Sequence, residues 1–310
     1  MRRWLIVALA GMLVAAYGPA AMAGEHEAGG TTYLALGDSI AAGTQQPLPF
    51  TDNGYTNKLF KHLRDEYDFD NFVNLACPDD DTVEMRFGIG GGSPFGSLCY
   101  GPFAGLPPGG SSQLDVAVDY LIDNPGEVGL ITIAVGANDI LSCDPTDPPP
   151  VLNACLAAQL GQIGANLPPI IGTLLAAAPG VPIVAMNYYN PNLAFWITGP
   201  AGQELAAQSL VLTGVFNGTL ETIYGAFNIP VADVETSFAT FKTNGGDPPT
   251  NVRRICALTL MCEKSGPGFM LSDSDPATSG PQPDIHPSNR GYAKMSATHT
   301  ELIDLLAILD

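Results

Sequence analysis

The sequence predicts a single α/β domain, a parallel sheet covered by helices on both faces. Three observations predict it. Short apolar runs rich in Val, Ile and Tyr recur along the chain, helical stretches separate them, and no linker, repeat or low-complexity block divides the 310 residues. Strands of a parallel sheet are buried on both faces and read as near-continuous apolar runs. Here those runs are 32–36, 72–76, 129–135, 181–188 and 229–234. The helices are expected at 57–67, 113–123, 151–178, 203–227 and 289–309. Pro168-Pro169 is expected to interrupt the third, because proline lacks the N–H that an interior helical position needs. Segments 78–110, 142–150 and 237–287 read as loops, and the length of the first and last points to function.

Composition narrows the partners. The formal net charge is −19, from 12 Lys plus Arg against 31 Asp plus Glu, which excludes nucleic acid and disfavours anionic membranes. With 46% hydrophobic and 14% charged residues the chain is not a disordered one. Arg2 and Arg3 precede an apolar run at 4–17, and Ala21-Met22-Ala23 offers a cleavage site. These are the parts of a secretory signal peptide, 1–23, ahead of one domain, 24–310. No later run reaches spanning length without a polar, Gly or Pro break, so no stable membrane insertion is expected. The product is read as a secreted monomer. An even number of cysteines suits that compartment, and sequential pairing is the simplest choice: Cys77–Cys99, Cys143–Cys155 and Cys256–Cys262. Their spacing resembles no zinc site or redox dithiol.

In a parallel sheet, ligands sit beyond the carboxyl ends of the strands, so chemistry is sought just after each strand. The first strand runs into Gly37-Asp38-Ser39, which presents a hydroxyl above the sheet. A serine nucleophile needs a base. Of the four histidines, His26 lies in the polar N-terminal stretch, His62 on a charged helix and His299 within the last helix. His286, in the loop just before that helix, is the best base by elimination. After the third strand comes Gly136-Ala137-Asn138-Asp139, where an Asn amide can donate to a developing oxyanion. Aromatic residues after the fourth strand, Tyr188, Tyr189, Phe195 and Trp196, together with Phe95, Tyr100 and Phe103 of the first long loop, are candidates for an apolar acyl-binding groove. Asp79-Asp80-Asp81 reads as a solvated turn rather than a calcium site. The chain has neither a phosphate-loop signature nor a G-x-S-x-G elbow.

Taken in order, Gly37-Asp38-Ser39, Asn74-Leu75-Ala76, Gly136-Ala137-Asn138-Asp139 and Asp284-Ile285-His286-Pro287 resemble the motifs of the SGNH (GDSL-type) hydrolase family. The resemblance implies a flavodoxin-like three-layer αβα sandwich with a central five-stranded parallel sheet. It implies a secreted esterase or lipase with Ser39 as nucleophile and His286 as base. Asn138 and backbone N–H groups form the oxyanion hole, and no metal or other cofactor is needed. Two positions depart from the pattern. The acid usually stands three residues before the histidine; here that position is Pro283, and Asp284, two before, is the candidate to orient the imidazole, a backbone carbonyl being the alternative. Where the family has a glycine whose N–H joins the oxyanion hole, this chain has Asp79, whose carboxylate either opposes the oxyanion or turns to solvent. A carbohydrate acetylesterase, a phospholipase, or a non-catalytic binding protein on the same scaffold are the competing readings.

Overall fold

The computed structural model describes residues 30–88, 99, 112–144, 147–262 and 284–309. Five strands form one sheet: β1 (Thr32–Gly37), β2 (Asn71–Asn74), β3 (Val128–Ala134), β4 (Ile183–Met186) and β5 (Val231–Ala232). All pairs are parallel, in the order β2-β1-β3-β4-β5. The chain steps outward from β1 to β2, then returns across β1 to start β3. That reversal is a topological switch point, and it opens a crevice beyond the carboxyl ends of β1 and β3.

Alternation along the central strands assigns the two layers. Tyr33 and Ala35 of β1, with Leu130 and Val184, pack with Leu59 and Leu63 of α2 (Tyr55–Tyr67) and Ile303 of α10 (Asn289–Leu305). Leu34, Leu36, Ile131 and Ile133 face the other way, into the core shared by α4 (Gln113–Asp123), α6 (Pro149–Ala177) and α7 (Pro200–Ala226). The expected three-layer sandwich is the observed one. Three disulfides join Cys77 to Cys99, Cys143 to Cys155 and Cys256 to Cys262, the sequential pairing.

Two expectations about helices are corrected. The first concerns α6, which runs unbroken through Pro168 and Pro169. The carbonyl that Pro169 leaves without a partner belongs to Ala165, and it accepts from the Arg86 guanidinium at 3.3 Å; Arg86 also reaches Asn166 Oδ1 at 3.1 Å. Gly164, whose carbonyl Pro168 leaves free, is exposed to solvent. The helix is long and apolar enough to cross a bilayer. Here, however, Ile163, Leu167, Ile170, Ile171 and Leu174 are fully buried in the core.

The second correction is that segments read as loops contain helices. α3 (Thr82–Phe87) lies in the first and α9 (Thr250–Leu258) in the last. A capping box starts α3: Asp81 accepts from the N–H groups of Val83 and Glu84, and the Glu84 carboxylate accepts from the Asp81 N–H. Asp79-Asp80-Asp81 is therefore no simple solvated turn. Asp79 is exposed, Asp80 is fully buried and Asp81 is the cap. Phe95, Tyr100, Phe103 and residues 1–29 lie outside the described residues.

His299 on α10 is fully buried, stacked on Tyr55 at 4.6 Å between ring centres, with Nδ1 donating to Met295 O at 2.9 Å. Its Nε2 has no partner among the described residues. Burial, against the weaker pull of the Met295 carbonyl, lowers its pKa from 6.5 to about 4. The unfolded chain thus takes up a proton in a range where the folded one does not. Stability present above pH 6.5 is lost as pH falls toward 4, by about 3 kcal/mol over that window. His299→Phe keeps the stacked ring and removes the titration. Denaturant unfolding at pH 7.5 and 4.5 should show a smaller pH-dependent loss in this variant than in the wild type; equal losses would refute the assignment.

Candidate active site

β1 and β3 stay paired to their last residues, Gly37 opposite Ala134. A side chain on Gly37, which has φ +141°, would place its Cβ 2.2 Å from the Ala134 carbonyl oxygen. Only glycine permits this approach. The following N–H, of Asp38, donates to that same carbonyl at 2.9 Å. The chain then turns into the short helix α1 (Ser39–Ala42). Asp38, not Ser39, caps it by accepting from Ile40 N–H at 2.8 Å, so the Ser39 hydroxyl is free of the capping role.

Asn138 sits at the start of α5 (Ala137–Leu141), directly after Gly136 with φ +116°. One N–H of its side chain donates to the Asp80 carbonyl at 3.0 Å. The amide carries a second N–H. Asp79 holds φ +72°, the left-handed region that suits glycine, which accounts for the glycine in the resembled motif. Asp79 is exposed. Within the described residues, neither Ser39 N–H nor Asp79 N–H donates to any protein group.

His286 and Asp284 are both buried, at the end of a segment that continues into α10. Asp284 Oδ1 lies 2.5 Å from His286 Nδ1 and also accepts the His286 N–H at 3.0 Å. Its Oδ2 accepts from Gln46 N–H at 3.0 Å. Burial opposes ionisation of Asp284, but the His286 ring and charge and the two N–H donors outweigh it and hold the carboxyl below the usual range. The spacing of two residues is therefore no obstacle to the pair. The Tyr189 hydroxyl donates to Ile285 O at 2.7 Å, and Leu260 N–H donates to His286 O at 2.9 Å. The Tyr292 hydroxyl donates to Thr44 O at 2.8 Å, and Gln45 Nε2 to Pro287 O at 3.0 Å. The histidine loop is thereby fastened to the segment that follows Ser39.

A cavity of about 150 Å³ opens at the switch point, and Ser39, Asn138, Tyr188, Tyr189 and Ile285 are among the residues lining it. Its other walls are mostly apolar, with Ile40, Ile140, Leu152, Leu156, Leu212 and Phe216, but Asp38, Asn190, Asn192, Ser209 and Thr213 line it as well. Of the expected aromatic contacts, Tyr188 and Tyr189 line this cavity. Phe195 and Trp196 do not; they belong to a 3-10 helix, Pro191–Thr198, and the Trp196 indole N–H donates to Asp247 Oδ1 at 3.0 Å. The aliphatic walls from α6 and α7 were missed. Their only trace in the sequence is leucines within long apolar helices, which a core function explains equally well. Among the described residues, no group of His, Cys, Asp and Glu is arranged to hold a metal ion.

The sheet order and the cavity at its switch point define a doubly wound, flavodoxin-like α/β architecture. A model of the GDSL-like lipase/acylhydrolase family matches residues 35–294, and the chain belongs to that family. It is a carboxylic ester hydrolase. No curated protein matches it in sequence. Among solved structures, it is similar to the extracellular lipase of Streptomyces rimosus, at 18% identity and TM-score 0.50, covering 88% of this chain and 99% of that one. It is also similar to phospholipase A1 of Streptomyces albidoflavus, at 13% identity and TM-score 0.52, covering 89% and 100%. At these identities the likeness is one of fold.

Asp38 is fully buried, and its Oδ2 accepts from the Tyr188 hydroxyl at 2.8 Å. Burial raises its pKa to about 6, against the Ile40 N–H, the Tyr188 hydroxyl, the His286 charge and the Ala41 N–H. Tyr188→Phe removes a hydrogen bond to a carboxylate that is ionised above that pH. The expected loss of stability is about 1.5–3 kcal/mol at pH 8 and less at pH 5, where the acid is neutral. Chemical denaturation at both pH values measures it, and a loss independent of pH would contradict the role given to Tyr188.

Proposed function

We propose that the protein is an exported serine esterase or lipase that cleaves esters of medium-length apolar acyl chains. One observation carries the reading: Ser39 and Asn138 line the same, largely apolar cavity, at the carboxyl ends of the two strands that flank the switch point. Ser39 Oγ attacks the ester carbonyl while His286 Nε2 takes its proton. Asp284 on Nδ1 selects the tautomer and stabilises the imidazolium that forms. The N–H groups of Ser39 and Asp79 and the free N–H of Asn138 receive the oxyanion. The alcohol leaves with the proton from His286, and water, activated by the same imidazole, releases the acid. Residues 1–23 direct export, in keeping with three disulfides, which persist in oxidising compartments.

A fluorophosphonate, which mimics the tetrahedral centre, should add once to the wild type and not to Ser39→Ala, as read by intact mass. A folded wild type that stays unlabelled would leave a binding protein as the better description. Asp284→Asn should lower kcat by about 10²-fold or more while the fold is kept, since the wrong tautomer then faces Ser39.

Acyl preference separates this reading from an acetylesterase. Each buried methylene contributes about 0.8 kcal/mol, so kcat/KM should rise from acetyl to octanoyl esters of one alcohol. Leu212→Trp fills the cavity and should lower the octanoyl-to-acetyl ratio by about tenfold or more. A wild type that prefers acetyl esters or acetylated xylan would sink the medium-chain assignment.

A further inference from the structure

Behind the cavity lies a hydrogen-bonded chain that takes no direct part in the steps above. Gln113, the first residue of α4, is fully buried. Its Oε1 accepts from Gly37 N–H at 2.6 Å, and its Nε2 donates to Gly37 O at 3.0 Å and to Asp80 Oδ2 at 2.8 Å. Every donor and acceptor direction of this amide that the fold uses is committed to two residues. Gly37 stands two before Ser39. Asp80 follows Asp79, and its own carbonyl accepts from Asn138. The chain Gly37–Gln113–Asp80–Asn138 therefore touches all three segments that carry oxyanion donors. Asp139, also fully buried, adds a second tie by accepting from Thr82 N–H at 2.9 Å and Thr82 Oγ1 at 2.6 Å.

We infer that Gln113 and Asp80 are positioning residues for the oxyanion hole, holding the N–H groups of Ser39 and Asp79 and the amide of Asn138 in one fixed arrangement. The inference rests on the oxyanion reading proposed above and deepens it. Oxyanion stabilisation depends on donors that are already in place, and the loss of one costs about 10²–10³ in kcat. A cross-tie between the three segments supplies that preorganisation. It also makes Asp80 sensitive to its own charge. The side chain is fully buried, Oδ1 has no partner among the described residues, and the charges acting on it, Glu84 of α3, its cap Asp81 and Asp38 before α1, are all carboxylates. From α4 it meets the neutral Gln113; Asp139 of α5 is turned to Thr82, and Arg86 of α3 to α6. Burial first, then those carboxylates, raise its pKa to about 8 against the Gln113 hydrogen bond. Near neutrality Asp80 is a neutral acid. Above pH 8 it places a negative charge behind the oxyanion, and kcat falls.

The test uses the wild type, Gln113→Met, Asp80→Ala and Asp80→Asn, each first checked for fold by circular dichroism and for Ser39 by fluorophosphonate labelling. On a soluble ester, Gln113→Met and Asp80→Ala should lower kcat about tenfold or more with KM changed much less. Asp80→Asn, a neutral copy of the protonated acid, should recover most of the kcat lost in Asp80→Ala. It should also lack the wild-type decline in kcat between about pH 7.5 and 9. If Asp80→Asn keeps that decline, or if folded Gln113→Met turns over within about twofold of the wild type, the positioning role is overturned. A wild type that is folded yet unlabelled overturns the reading of Ser39 instead, and this inference with it. Should Gln113→Met fail to fold, the pH profile of Asp80→Asn decides alone.

Discussion

The close approach of Gly37 to Ala134 is the constraint on which the site depends. Because β1 and β3 remain paired to their last residues, the two chains leave the sheet side by side. The Ala134 carbonyl that a Cβ at position 37 would strike is the one that receives the Asp38 N–H. From that contact Ser39 enters α1, which the Asp38 side chain caps, and Asn138 enters α5, which follows Gly136 without a side-chain cap. The crevice of a doubly wound sheet is generic. The spacing of a hydroxyl and an amide across it is set by one missing methyl group.

Around that crevice the protein buries carboxyl groups that, among the described residues, pair with no lysine or arginine. Asp38, Asp80 and Asp139 are all fully buried, and in each the cost of desolvation raises the pKa. Asp284 is the exception in the site, because an imidazole and two N–H groups outweigh its burial. The same side chain thus does different work according to its partners: Asp284 remains ionised beside a histidine, while Asp80 serves as a neutral hydrogen-bonding group. In the mechanism proposed above, the oxyanion is met by N–H groups while the buried acids nearest to it are held neutral or paired.

The parts of this arrangement that were legible in the sequence are those tied to the ends of strands. Ser39, Asn138 and the Asp284–His286 pair each follow a strand or precede the last helix, where chain order alone limits what they can meet. The strands, the helices on both faces of the sheet and the disulfides followed from apolar runs and from short separations, whereas the strand order did not. Gln113 was not legible as anything but a helix start, since its three hydrogen bonds are made to residues 33 or 76 positions away. The Pro168-Pro169 pair misled because Arg86, 79 residues from the carbonyl it satisfies, supplies what the prolines withhold. α3 carried a readable signal, Asp81 with Glu84 three residues on, hidden within a run of aspartates. Phe195 and Trp196 come later after the fourth strand than the two tyrosines do, inside the 3-10 helix Pro191–Thr198, and they do not line the cavity.

The bond between Cys143 and Cys155 belongs to two stories at once. It closes the connection between α5 and α6, and Cys143 is itself part of the cavity wall, packed with Leu152 and Leu156. A single covalent bond thus ties the start of α6, which carries Leu152 and Leu156, to the chain leaving α5, so this side of the cavity is fixed by connectivity as well as by packing.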